Sequence, residues 1–206
     1  MIVYGASGHS KVIIDIIESS EEESIAFVID DNPDIKEIMD YRVDHSFSDN
    51  MKNESVIIAV GNNMIRKKIA DNFDFKYVQG LIHKRAVVNR DVSIGDGSVV
   101  MAGAVINSST HIGENCIINT NAVIEHDVEI GDFCHISPGA VITGNVQIGI
   151  GSHIGAGTSV IPGVKIGKWT TIGAGTVVIE DIPDYAVVVG NPGKVIKYNK
   201  LENEQR

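Results

Sequence analysis

Basic side chains, aromatic rings and cysteines are all scarce in this 206-residue chain. Seventeen lysines and arginines stand against 27 aspartates and glutamates, a formal net charge of −10. The basic footprint that nucleic acid or an anionic membrane surface requires is therefore missing. No apolar run approaches the roughly eighteen residues of a membrane span. The opening stretch MIVYGASGHSKVIIDII has no charged region ahead of its apolar residues, so it does not read as a secretory signal. Two cysteines make neither a disulfide framework nor a metal knuckle. These absences point to a soluble cytoplasmic protein. Aromatics are only 5% of a chain that is 43% hydrophobic, so its core must be aliphatic, which suits stacked strands.

What is present falls into two halves with different periods. Residues 1–82 read as a small α/β domain: strands at Ile2–Tyr4, 25–32 and 55–63, alternating with an amphipathic helix in KVIIDIIESSE and another in MIRKKIADNF. Strands alternating with helices imply βαβ units and a parallel sheet, here about half of a full dinucleotide fold. From residue 83 to about 190 the period is six. Every sixth residue from Val88 to Val178 is Ile or Val, sixteen positions without exception or insertion. Two residues before each stands a small or β-branched residue, such as Val92, Ser98, Ala104 or Cys116. A glycine often follows, as at Gly95, Gly113, Gly131 and Gly149. No α-helix carries a six-residue stripe, and sustained self-similarity announces a solenoid. Three short strands per turn, each with its Ile or Val inward and turning at the glycines, satisfy the pattern. The array resembles the hexapeptide-repeat acyltransferases, whose fold is a left-handed parallel β-helix of three hexads per coil. Sixteen hexads then imply about five coils. Residues 191–206 form a C-terminal extension in which GNPGK leaves the last coil and the polar tail LENEQR is expected to fray.

With eighteen residues per coil, His135 and His153 stack on one face, and both precede an inward isoleucine, so both are expected to point outward. His111 stacks instead with Glu129 and Gln147, and His126 falls near a corner. Cys116 and Cys134 are expected to be reduced core residues in adjacent coils rather than nucleophiles. A lone outward histidine is ordinarily a solvated residue. His126, however, lies between Glu125 and Asp127, and a carboxylate can hold an imidazole's tautomer and raise its basicity, as a general base needs. Zinc-binding β-helix enzymes of the gamma carbonic anhydrase type place two histidines five apart, a spacing absent here, so no metal is expected. In the first half, Gly5 and Gly8 lie between a strand and a helix and let backbone amides approach a phosphate. Asp30 and Asp31 end the second strand, and Gly61, Asn62 and Asn63 end the third. Three strand ends at one crevice suit a nucleotide.

A half-sized nucleotide-binding domain joined to a hexapeptide β-helix resembles the sugar acetyltransferases that act on nucleotide-linked amino sugars. The shared stretches are GASGH, DD, GNN.IR, NT.A.IEHD, CHISPGA and GNP.K, and they are spread over nearly the whole chain. The resemblance implies acetyl-CoA as co-substrate and a nucleotide-linked amino sugar, of UDP type, as acceptor. His126 would be the general base and Asp127, where many relatives carry glutamate, its acidic tuner. His135 would hydrogen-bond the thioester carbonyl, with Asn119 and the amides near Gly144, Ala156 and Ala174 lining the cofactor channel. Ser7, Gly8 and His9, with Gly5, Asp30, Asp31, Gly61 and Asn62, would place the sugar nucleotide. A homotrimer is implied, with each active site between two chains. Two alternatives stand beside this: O-acetylation of a sialic acid or another sugar, and a non-catalytic β-helix spacer.

Overall fold

The computed structural model describes residues 1–20 and 23–199. Glu21, which closes the expected first helix, and the tail LENEQR lie outside the described residues.

The amino-terminal unit is built on strands β1 (Ile2–Tyr4), β2 (Phe27–Ile29), β3 (Glu37–Ile38), β4 (Tyr41–Asp44) and β5 (Val56–Ile58), in the order β3-β4-β2-β1-β5. All pairs are parallel except β3–β4. Helix α1 (Gly8–Glu18) follows β1 because Ile13, Ile14, Ile16 and Ile17 bury one face while Lys11, Asp15 and Glu18 stay outside. Helix α2 (Asn63–Asn72) follows β5 and is capped by Asn62, whose side chain accepts the Ile65 amide at 3.0 Å. The β3–β4 hairpin at the sheet edge had no sequence signal. Its first strand is two residues long, and its turn places Met39 at φ 51° rather than a glycine.

The remainder is a parallel β-helix. Its strands, of two residues each except Ala186–Val189, form three faces of seven, six and five parallel strands, the first face ending with the antiparallel strand Lys194–Tyr198. The first face starts at Leu81–Ile82, which already pairs with Val99–Val100, so the ladder begins two residues before residue 83. It continues through Ile117–Ile118, His135–Ile136, His153–Ile154 and Thr171–Ile172. The second face runs from Val87–Val88 to Val177–Val178, and the third from Ser93–Ile94 to Lys165–Ile166.

All sixteen hexad positions point inward, and those from Val100 to Val178 are 3% exposed or less. Each buried aliphatic side chain contributes about 1.5–3 kcal/mol. From Ser98 on, the small residue two positions earlier is buried as well, and Ser98, Thr110, Ser152, Thr158 and Thr170 bond to carbonyls of the next coil. Ser98 Oγ donates to the Gly113 carbonyl at 2.7 Å, and Cys116 Sγ approaches that of Gly131 at 3.1 Å. Both cysteines are buried, free and inward.

The turns differ from the sequence expectation in one respect. The left-handed residue lies three positions after the inward one, at every sixth residue from Gly97 to Gly175, and it includes Ser109, Asn115, Asp127, Phe133 and Trp169. The glycines directly after the inward residue serve close approach instead. A Cβ on Gly95 or Gly149 would lie 2.6 Å from backbone of the following coil.

The three faces present different outward residues. The third is polar: Ser93, His111, Glu129, Gln147 and Lys165. On the second, five of the six outward residues are valines: Val87, Val105, Val123, Val141 and Val177. The lower half of the first face is covered by the amino-terminal unit, so that Val99, Met101 and Ile117 share one core with Val3, Ile13 and Ile17.

Candidate active site

His126 stands at the corner between the second and third faces, where Asp127 takes the left-handed turn conformation (φ 59°). Asp and Asn tolerate that region better than most residues. The turn brings the Asp127 carboxylate back onto its neighbour: His126 Nδ1 lies 2.7 Å from Asp127 Oδ2. A carboxylate accepts, so Nδ1 carries the hydrogen, and in the neutral ring Nε2 is the nitrogen with the free lone pair. Gly144, one coil further on, lies under the ring, and a Cβ there would be 2.7 Å from Cε1 of His126. Glu125 is held separately by Asn107 Nδ2 at 2.9 Å. Both members of the couple are open in a single chain, with side chains 63% and 60% exposed.

His135 is outward from the coil, as expected, but it is not on an open surface. Its ring lies parallel to that of His153, centroids 4.8 Å apart, and 6.3 Å from His9. Nδ1 is 3.3 Å from the Gly61 carbonyl and Nε2 is 3.0 Å from Asn119 Nδ2. Burial, then His153, Arg66 and His9, hold its pKa down to about 3. Burial and Arg66 lower His9 to about 4, and the same two causes lower His153. All three imidazoles are therefore neutral at neutral pH.

The amino-terminal loop, the end of β2 and the end of β5 do meet at one crevice. Asp30 ties the loop to the end of β2: it accepts the Ala6 amide at 2.7 Å and the Asn32 amide at 2.9 Å. Asp31 accepts the Tyr4 hydroxyl at 2.8 Å. Gly5 is buried, and its amide donates to the Ile29 carbonyl. Ser7 and Gly8 are exposed at the start of α1, with nothing within 4 Å of where a Gly8 Cβ would stand. His9 Nε2 is buried and has no hydrogen-bond partner among the described residues.

The site residues thus form two groups. Nine residues are half of an eighteen-residue coil, so His126 and His135 lie on opposite sides of one β-helix. Gly61 and His9 join His135, His153 and Asn119 on the first face. Ala156 and Ala174 stack at the neighbouring corner, between the first and second faces, while Gly144 belongs with His126. Among the described residues no cluster of three His, Cys, Asp or Glu could hold a metal ion, and no helix is long and apolar enough to cross a membrane. A hollow of about 850 Å³ runs along the polar third face and contains none of these residues, while one of about 630 Å³ is lined by Gly61, Asn62 and His153.

The sequence reading missed Arg66. Its side chain is 1% exposed and among the described residues meets no carboxylate. It donates instead to the carbonyls of Asn115 (2.8 Å), Val60 (2.9 Å) and Phe133 (2.9 Å) and to Asn63 Oδ1 (2.9 Å). Asn63 Nδ2 adds bonds to the Gly151 and Ser152 carbonyls. Together they pin α2 to the corner that leads into the first face. The arginine in GNN.IR was the available signal, since an arginine among surface lysines looks like another solvated cation.

Comparison with known proteins bears on this arrangement. Residues 1–73 match the PglD N-terminal domain family, 84–108 the hexapeptide repeat of succinyl-transferase, and 109–144 and 145–180 the bacterial transferase hexapeptide family. The acetyltransferase domain of PglB from Neisseria gonorrhoeae is 35% identical, with 95% of this chain and 98% of that one covered at a TM-score of 0.86. A perosamine N-acetyltransferase variant from Caulobacter crescentus, in complex with CoA and GDP-perosamine, is 33% identical over 95% of this chain and 96% of that one, at 0.87. UDP-N-acetylbacillosamine N-acetyltransferase of Bacillus subtilis is 37% identical over 118 residues, 48% of this chain and 50% of that protein, so the chain spans about half the length of this curated relative.

Proposed function

This chain belongs to the hexapeptide-repeat acetyltransferases that carry a PglD-type amino-terminal domain, and from that premise we propose that it transfers an acetyl group from acetyl-CoA to the amine of a nucleotide-linked sugar. The observation that carries the reading is the His126–Asp127 couple seated on Gly144. With Nδ1–H given to Asp127, the Nε2 lone pair of His126 takes a proton from the amine as its nitrogen attacks the thioester carbon. The C–S bond then breaks, and the departing thiolate takes that proton back from the imidazolium. The acceptor nucleotide occupies the crevice of Gly5, Ser7, Gly8, His9, Asp30, Asp31, Gly61 and Asn62, and acetyl-CoA runs past Asn119, His135, Ala156 and Ala174 toward Gly144 of a neighbouring copy. UDP is the nucleotide expected. Two of the relatives named above are N-acetyltransferases and none is an O-acetyltransferase by name, so O-acetylation has no support among them.

Because His126 and His135 lie on opposite sides of one β-helix, a centre that uses both must draw them from different copies. The exposed His126 and the valine stripe of the second face support a homotrimer that covers both. A cytoplasmic location, where thiols stay reduced, suits the two free cysteines.

Thiol release from acetyl-CoA in the presence of UDP-, GDP- and TDP-linked amino sugars tests the activity. Release with none of the amines, or equally without acceptor, would sink it. Mixing His126→Ala with His135→Ala subunits tests the shared site. Restored turnover is expected, and no recovery in demonstrably mixed trimers would place both groups in separate centres.

A further inference from the structure

We propose that His135 is a relay that orients the side-chain amide of Asn119, and that this amide, not the imidazole, is the donor presented to the acyl carbonyl. The proposal rests on the first face being the acyl site, as inferred above.

The hydrogens decide the matter. The Thr120 backbone N–H lies 2.7 Å from Asn119 Oδ1. A backbone N–H can only donate, so that end of the amide is the oxygen and its orientation is settled. The other end, Nδ2, faces His135 Nε2 at 3.0 Å. An amide nitrogen also only donates, so Nε2 must offer its lone pair. On the ring's other side, Nδ1 lies 3.3 Å from the Gly61 carbonyl, which only accepts, so Nδ1 carries the hydrogen. Two independent constraints select one neutral tautomer. A second proton on the ring, or the other tautomer, would set N–H against NH2.

The surroundings favour the same state. The groups acting on the ring are His153, Arg66 and His9, and none is a carboxylate that could stabilise an imidazolium. Arg66 also bonds to the carbonyls of Val60 (2.9 Å) and Gly61 (3.4 Å), so it fixes the acceptor that fixes the ring. With Nδ1–H and Nε2 both engaged inside the protein, His135 has no donor left for a thioester. Asn119 does, because Nδ2 has two hydrogens and the ring takes one. The direction of the acyl-binding donor is thus set by Gly61, a residue at the edge of the nucleotide crevice. Asn119 is the contacting group, while His135 and Arg66 are positioning residues.

Imidazole ¹⁵N spectra of the intact protein test the relay without any substrate, the His135 signals being identified by their loss in His135→Gln. Nδ1 is expected to be protonated and Nε2 bare at neutral pH, and Asn119→Asp, which turns the donor into an acceptor, is expected to place a second hydrogen on Nε2 while Nδ1–H stays on the Gly61 carbonyl. An imidazolium or an Nε2–H ring in the unmodified protein overturns the relay. In steady-state assays Asn119→Ala is expected to lower kcat about 10²–10³-fold, the usual worth of one oxyanion donor, with a much smaller change in the acetyl-CoA KM. Wild-type kcat in that variant removes Asn119 as the donor. The expected tautomer in a protein that acetylates no amino sugar would sink the acetyltransferase reading, and the acyl role with it, while the relay geometry stood.

Discussion

Gly144 shows how a single hydrogen atom in place of a methyl group can matter to a catalytic base. The imidazole of His126 lies where a Cβ on Gly144 would be, 2.7 Å from Cε1. Gly144→Ala is therefore expected to lift the ring off its seat and lower kcat by about 10²-fold, the scale of a misplacement near 1 Å, with little change in a urea melt. An unchanged kcat would show that the ring's position is not critical. Gly8 supplies the opposite case. Nothing lies within 4 Å of a Cβ there, so Gly8→Val leaves the fold intact and places bulk only where a phosphate would approach. Calorimetry is expected to show weaker nucleotide-sugar binding and unchanged acetyl-CoA binding. Equal loss of both would make the loop structural.

Among elements, the hexad strand has an inside and an outside separated by one residue. Ile136 is fully buried in the middle of the ladder, with coils above and below held by backbone bonds. Ile136→Ala is expected to cost about 2–5 kcal/mol, because neighbouring coils cannot close over the cavity. Gln147, outward on the third face, is expected to cost under ~0.5 kcal/mol when changed to Ala. Denaturant midpoints compare the two, and a larger loss at Gln147 would reverse the assigned phase. His135 makes a poor outward control, because the amino-terminal unit covers it and both ring nitrogens are bonded.

Across the whole molecule, the histidines between the two units tie stability to pH. His9 and His135 have folded pKa values of about 4 and about 3, below the ordinary 6.5, and His153 is shifted in the same direction. The unfolded chain takes up protons below pH 6.5 that the folded chain refuses. The stabilisation is therefore present above 6.5 and is lost as pH falls toward the folded values. By pH 4.5 each strongly shifted ring withdraws roughly 2–3 kcal/mol. Urea midpoints are expected to drop between pH 6.5 and 4.5, and to drop less in His135→Gln, which has nothing to titrate. An equal drop in that variant would remove His135 from the acid sensitivity.

The solenoid was legible because its cause is local and repeated: one Ile or Val every six residues from Val88 to Val178, with no insertion to break the count. The same count set His135 above His153 and sent His126 to a corner, and both placements hold. Asp127 as the partner of His126 was legible too, since the two are adjacent. Tertiary structure alone decided what covers each face. Arg66 looks like any helix cation until the carbonyls of Asn115 and Phe133, 49 and 67 residues away, arrive around it. His135 reads as an open-face residue until Gly61 closes over it from a separate unit. Periodicity along a chain gives the direction in which a side chain points. It carries no record of which distant backbone will be there to meet it, because that contact is made by the packing of one unit on another.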